Sequence, residues 1–260
     1  MKHSMIAELI LSDAFELFGQ PKWTFGKNTC NTYEVFAEKV LLPDGEKIPV
    51  WPVLELIEND EGLSLIYSRW FLKKAVASAV EIGKATDSHV TLSLNLLPSY
   101  AAEETFVKEV LDVLEANGLP AGKLQFELSE AQNLSAAGVE NLNILHDEYG
   151  VSLYLANFGK GHSNIDLLTE VHFDGIELDR SFAAVIPENE QACRVVVGIQ
   201  HLAHTLDLKV CAKGIENQDQ FEFFEELDCF KGQGYLIGKP MPMEELSDYI
   251  GKFAVHVGHK

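Results

Sequence analysis

The 260-residue chain carries 40 acidic against 20 basic residues, a formal charge of −20, and 47% of its residues are hydrophobic. That charge excludes non-specific binding to nucleic-acid polymers and to anionic membrane surfaces, both of which select basic proteins. The length suits a single β/α barrel, typically about 250 residues, and the apolar fraction can fill one large core. The cysteines, Cys30, Cys193, Cys211 and Cys229, show neither CxxC nor zinc spacing and read as reduced thiols of a cytoplasmic protein. There is no basic leader with a cleavage site and no apolar run of membrane-spanning length, so a soluble intracellular chain is expected.

Residues 1–20 read as a lead-in helix. Ile6, Leu9, Ile10 and Phe18 fall near one helical stripe, Asp13 and Glu16 lie opposite, and Gly19 and Pro21 form the stop. Two strand-like segments follow, Lys22–Gly26 and Thr32–Leu42, joined by a turn suited to a hairpin, and then a turn-rich loop from Pro43 to Pro49. From Val53 to Gly83 the pattern is helical, with a break near Gly62. Beyond it strands and helices alternate. Strands are predicted at Thr91–Leu97, Leu124–Glu130, from Val151, and at Gly175–Asp179, Leu208–Gly214 and Gly234–Gly238. Helices are predicted at Glu103–Asn117, Ala136–Tyr149, from Ser163, at Asn189–Leu206 and Asp219–Leu227, and from Met243. Counting the hairpin, eight strands with helices between the later ones predict a mainly parallel sheet closed into a barrel, one domain over residues 1–260.

In such a barrel the strand C-terminal ends face the active mouth. They carry Asn95, Glu127, Asn157, Asp179, Lys213 and Gln233, joined by Glu34 if the second strand runs the right way. Glu34, Asn95 and Glu127 make an oxygen-only shell suited to Mg²⁺ or Ca²⁺, although polar strand ends are also ordinary solvated rim. The strand in VSLYLANFGKG (Val151–Gly161) runs into a glycine-flexed loop, the place where a barrel puts its chemistry. It ends in Ala156 and Asn157, neither of which can exchange a proton in catalysis.

Six pieces in order, SLNLLP (Ser93–Pro98), FELSE (Phe126–Glu130), NFGKGHS (Asn157–Ser163), LDRSF (Leu178–Phe182), AKGIE (Ala212–Glu216) and QGYLIGKP (Gln233–Pro240), give the chain a clear resemblance from about Glu8 to Ile250. It resembles the EAL-domain family, whose active members are cyclic di-GMP phosphodiesterases on a modified (β/α)8 TIM barrel with an antiparallel first strand. The resemblance implies that fold, an α/β class, and a position for each site residue. The signature Glu-Ala-Leu stands here as Glu34-Val35-Phe36, so its metal-binding glutamate is kept. Asn95 and Glu127 match further metal ligands, Glu130 matches a glutamate steadying the loop after the Val151 strand, and Gln233 matches the glutamine near the reacting water. The paired aspartates that hold both metals fall at Ala156 and Asn157. The lysine assisting the attacking water falls at Glu177, just before the matched Asp179, and the catalytic glutamate falls at Lys213. The arginine that grips substrate phosphate falls at Glu38.

Two-metal hydrolysis needs bridging carboxylates, and alanine supplies no oxygen at all. Losing these groups together removes the second ion and the general base, so no meaningful phosphodiesterase activity is expected. A lone Mg²⁺ or Ca²⁺ at Glu34, Asn95 and Glu127 stays conceivable. At about 6 Å and an effective dielectric near 20, one charge pair is worth roughly 3 kcal/mol. Exchanging arginine for Glu38 therefore tilts against cyclic di-GMP binding by up to about 5–6 kcal/mol, some four decades, as an upper bound.

Positions 177 and 213 have exchanged charge relative to the family. Either Glu177 and Lys213 pair and put an ammonium group where a metal would lie, or both drifted independently into solvent, where such pairs contribute little. His201 and His204, at i and i+3 of one helix, have a spacing that can bind zinc but no evident third ligand. His162 reads as rim, Phe221, Phe223 and Phe224 as core packing, and Glu222–Asp228 as a solvated acidic helix face. The expected role is a catalytically degenerate, non-enzymatic regulator that binds an unidentified protein partner in bacterial cyclic di-GMP-related signalling. A cyclic di-GMP receptor without turnover, or a residual metal-dependent phosphodiesterase, are the alternatives; homodimerisation is common in the family and open here.

Overall fold

Helix α1 (His3–Leu11) buries Ile6, Leu9 and Ile10 as the apolar stripe predicts, but it stops well before Gly19. Asp13 adopts a φ of +59° and the Ala14 N–H returns to the Leu9 carbonyl at 3.0 Å, which closes the helix end with a left-handed residue. Phe18 consequently lies in strand β1 (Phe15–Thr24), and the lead-in helix expected over residues 1–20 gives way to strand from Phe15. Phe15, Phe18 and Trp23 suit a pleated surface, and the Ser12–Asp13 break was the stronger stop signal. Pro21, read as a helix stop, is accommodated inside β1. On that edge β1 meets β10 (Met241–Pro242) at Phe18 and Gly19 and β9 (Lys231–Gln233) at Trp23 and Thr24, so Pro21 falls between the two pairings.

We describe residues 1–86, 90–129, 133–159 and 165–257 of a computed structural model, with backbone alone for 253–257. Positive φ at Gly26 and Asn28 turns β1 back into β2 (Thr29–Leu41), its antiparallel partner, and β3 (Lys47–Pro49) lies on the far end of β2. Helices α2 (Trp51–Glu58) and α3 (Glu61–Thr86) bring the chain across to β4 (Thr91–Asn95). Then follow α4 (Pro98–Ala101), α5 (Phe106–Asn117), β5 (Leu124–Ser129), α6 (Ala136–Tyr149), β6 (Ser152–Phe158), α7 (Leu167–Glu170), β7 (Gly175–Leu178) and α8 (Arg180–Ala183). Helix α9 (Glu190–Thr205), β8 (Lys209–Lys213), α10 (Gln218–Glu226), β9, β10 and α11 (Met243–Val257) complete the order. Gly118 and Gly150, both left-handed, end α5 and α6.

Around the barrel the strands run β1, β2, β4, β5, β6, β7, β8, β9 and back to β1. Strand β1 is antiparallel to both neighbours and every other step is parallel. This is the modified TIM barrel with an antiparallel first strand. The last strand differs from expectation: it is Lys231–Gln233, while Gly234–Gly238 is a turn closed by Ile237 and Gly238 N–H groups on the Gly234 carbonyl. Gly234 lies directly on the Ile215 backbone, leaving no room there for a side chain. Phe224 is fully buried and the Phe221 ring packs tilted against Phe25 with centroids 5.0 Å apart, so the aromatic run of α10 is packing, while Glu222, Glu225 and Glu226 face solvent. Among the described residues no helix is long and apolar enough to cross a membrane.

Candidate functional site

Helices cover the outside of the barrel, so the outward strand positions are apolar and the inward ones can be polar, the reverse of a one-sided sheet. On β1 this turns Trp23 outward toward α10, where it faces Phe221 at 6.3 Å, and Lys22 inward. Lys22 is completely buried. Its ammonium donates to Glu127 Oε1 at 2.5 Å, to Glu177 Oε1 at 2.6 Å and to Ser93 Oγ at 3.4 Å. Lys213, entering from the end of β8, donates to Glu127 Oε2 at 2.7 Å and Glu34 Oε2 at 3.1 Å. It also lies 2.7 Å from Glu177 Oε2, an ion pair without hydrogen-bond alignment. Glu127 and Glu177 thus each face Lys22 with one oxygen and Lys213 with the other, closing a ring of alternating charge inside the barrel.

Around this ring the remaining polar atoms are satisfied. Glu34 accepts from Asn95 Nδ2 at 2.8 Å and from Gln233 Nε2 at 3.1 Å, and Ser93 donates to Glu127 while accepting from Gln125 at 2.8 Å. Burial by itself raises the Glu127 carboxyl, but Lys213 and Lys22 outweigh it and hold the group well below the usual carboxylate range. Burial, and then the negative charge of Glu127, push Glu177 up, so Glu177 is the first member of the ring to take a proton. Lys213 and Lys22 stay charged against the burial penalty because these carboxylates surround them.

The structure therefore brings together six of the residues singled out in the sequence: Glu34, Asn95, Glu127, Glu177, Lys213 and Gln233. The pairing of Glu177 with Lys213 is present. Lys22 was missed; its signal was the stripe Gln20, Lys22, Thr24 on one face of β1, which reads as solvent-facing unless the barrel interior is known to be polar. Other positions lie apart from the ring. Asp179 caps α8, accepting from Ser181 N–H at 2.9 Å. Glu38 is half-buried at the bulge where the β1–β2 register shifts between Leu17↔Ala37 and Glu16↔Lys39. Ala156 is buried opposite Ser129, and Asn157 takes a φ of +57° at the β6–β7 register shift. Glu130 and His162 lie outside the described residues. His201 and His204 are exposed on α9, and no third ligand joins them among the described residues.

A divalent ion does not fit this donor set. Glu127 gives an oxygen to each ammonium, Glu34 Oε2 is shared by Lys213 and Gln233, and Ala156 offers no oxygen. An ammonium group bound by three carboxylates occupies the same electrostatic role that a metal would, without the Lewis acidity.

Beneath the ring, Lys231 is buried in register with Cys211 and Thr24. Burial and then the neighbouring Lys22 depress its ammonium to about 8. A lowered lysine pKa means that the folded state prefers the neutral amine, so the group costs stability at pH 7 and the cost fades between about 8 and the unfolded value near 10.4. We expect Lys231→Met to be favoured over wild type at pH 7, with the difference shrinking by up to about 3 kcal/mol by pH 10.5 in parallel urea titrations. A pH-independent difference would show that Lys231 titrates normally.

Residues 3–240 match the EAL domain family. The chain belongs to the EAL family. This EAL chain is 29% identical over 230 residues to the uncharacterized protein y4lL of Sinorhizobium fredii, covering 87% of the chain and 27% of that protein. It is 32% identical over 162 residues to the cyclic di-GMP phosphodiesterase RocR of Pseudomonas aeruginosa, covering 62% of the chain and 41% of RocR. The matches thus span between about a quarter and two fifths of the length of these relatives. Among solved structures, the cyclic di-GMP complex of the PaMucR phosphodiesterase matches this EAL barrel with a TM-score of 0.82 at 26% identity, over 94% of the chain and 98% of that structure.

Proposed function

We propose that this EAL barrel is catalytically silent and acts in cyclic di-GMP-related signalling as a regulator that binds another protein. The observation that carries the reading is the salt-bridged ring: Glu34 and Glu127, the carboxylates matched to metal ligands, are neutralised by Lys213 and Lys22. Hydrolysis needs a polarised phosphate and an activated water. Here the acid positions at 156 and 157 carry a methyl group and a neutral amide, and position 213 carries a base-incompetent ammonium. Glu38 at the rim adds a negative charge where a phosphate grip would need a positive one. With a formal charge of −20, the surface suits a partner with a basic face, met inside the cytoplasm.

The test combines turnover and binding. The purified chain with Mg²⁺ or Mn²⁺ is expected to leave cyclic di-GMP intact, and calorimetric titration of the nucleotide, with and without Ca²⁺, is expected to show no saturable heat. Micromolar binding without turnover would instead make the protein a receptor. Metal-dependent product formation would overturn the reading altogether.

A further inference from the structure

At the opposite end of the barrel from the lysine ring, the last turn of α6 and the segment leading into β7 assemble a second cluster. The Asp147 carboxylate lies between two imidazoles: Oδ1 is 2.8 Å from His146 Nδ1, and Oδ2 is 2.9 Å from His172 Nδ1. Behind them, Asp174 Oδ2 stands 3.6 Å from His146 Nε2 while accepting the Leu153 N–H at 2.9 Å. The two rings meet edge to face with centroids 6.2 Å apart. One ligand atom from each of His146, Asp147 and His172 can be chosen so that all three lie within 4.8 Å of one another.

The backbone under this cluster is tied down. Asn143 on α6 donates to the Glu170 carbonyl at 2.8 Å and accepts the His172 N–H at 2.9 Å, clamping the segment that carries His172 to the helix that carries His146 and Asp147. His172 and Asp147 are exposed and His146 is partly so, leaving an open side for entry and for water. Exposed contacts of this kind contribute little to stability, so the packing itself gives no reason for the arrangement.

We propose that His146, Asp147 and His172 form a binding site for a borderline transition-metal dication, with Zn²⁺ the best match. Two imidazole nitrogens and one carboxylate oxygen, with a water as fourth ligand, are the N/O set that Zn²⁺ takes in tetrahedral geometry. Ligand bonds near 2.0–2.2 Å place tetrahedral donor atoms about 3.3–3.5 Å apart. To reach that spacing the Asp147–imidazole contacts, at 2.8 and 2.9 Å, must open by roughly half an ångström around the ion. Asp174, facing His146, is placed to orient its ring, as carboxylates behind metal-bound histidines do. Hard ions such as Mg²⁺ and Ca²⁺ do not select imidazole, which separates this site from the carboxylate mouth of the barrel.

The test is titration of the full chain with ZnCl2 in a non-chelating buffer near pH 7.5, followed by calorimetry and by the visible absorption of a Co²⁺ substitute. Wild type is expected to show one saturable equivalent and a Co²⁺ band. His172→Ala and Asp147→Asn are each expected to weaken that equivalent by at least about 10–100-fold with unchanged melting temperature, since both residues are exposed. His201→Ala/His204→Ala is expected to leave it intact. Absence of a saturable equivalent, its survival in His172→Ala, or its loss only in the His201/His204 variant would overturn the assignment.

Discussion

Replacing Lys22 by methionine is expected to lower the unfolding free energy by about 3–5 kcal/mol, because it leaves two buried carboxylates facing each other with a single ammonium between them. That is a large part of the roughly 5–15 kcal/mol that holds a folded protein together. The stem of Lys22 packs inside the barrel with no exposure at all, so methionine keeps most of the volume and isolates the charge. Urea unfolding measures the loss directly. The double variant Lys22→Met/Glu177→Gln is expected to regain more than half of it, since one buried charge leaves with its counter-charge and Glu127 keeps Lys213. A loss below about 1 kcal/mol for Lys22→Met would mean that the ring does not hold the barrel together.

Rebuilding the acid positions is expected to convert the mouth of the barrel into a cation site. In Ala156→Asp/Asn157→Asp/Glu177→Lys/Lys213→Glu the charges at 177 and 213 exchange without changing their sum, while 156 and 157 add two negative charges that need a dication. In the wild-type chain a dication about 4 Å from the Lys213 ammonium meets a repulsion of roughly 8 kcal/mol at an effective dielectric near 20, about six decades of affinity. Saturable Mn²⁺ binding by the rebuilt variant and none by its parent, both carrying His172→Ala to silence the distal cluster, is the expected calorimetric result. If the parent binds Mn²⁺ equally well, Lys213 is displaced by metal and the lysine ring is not what excludes it.

The parts of this architecture that the sequence carries plainly are those set by local rules. Gly118 and Gly150 announce the ends of α5 and α6 because only a residue tolerant of positive φ can close them, and both hold φ above +70°. Alternation in Thr91–Asn95 and Leu124–Ser129 marks strands whose ends then carry Asn95 and Glu127 to the mouth. Exchange of charge at Glu177 and Lys213 was legible because each is defined by the other. Lys22 was not, since its meaning depends on which face of an antiparallel strand turns inward, and the turn at Asp13 shifted that strand's start. The pair His146 and His172 was equally hidden. They belong to different elements, and only the Asn143 clamp brings them together, whereas the visible i, i+3 pair on α9 faces solvent alone among the described residues.

The antiparallel first strand also sets the order in which the barrel can be finished. Strand β1 pairs at once with its neighbour β2, but its other edge waits for Trp23 to meet Gly232, a contact between nearly opposite parts of the chain. Contacts of such long separation slow folding, because the loop must close before the pairing rewards it. As a ribosome delivers the chain, Lys22 emerges early, Glu127 and Glu177 much later, and the closing strand later still. A partly made chain therefore exposes an open sheet with an unneutralised ammonium on its inner face, a soluble edge that resists mispairing. The last strand to arrive closes the cylinder, so commitment to the native barrel waits until β9 has been made.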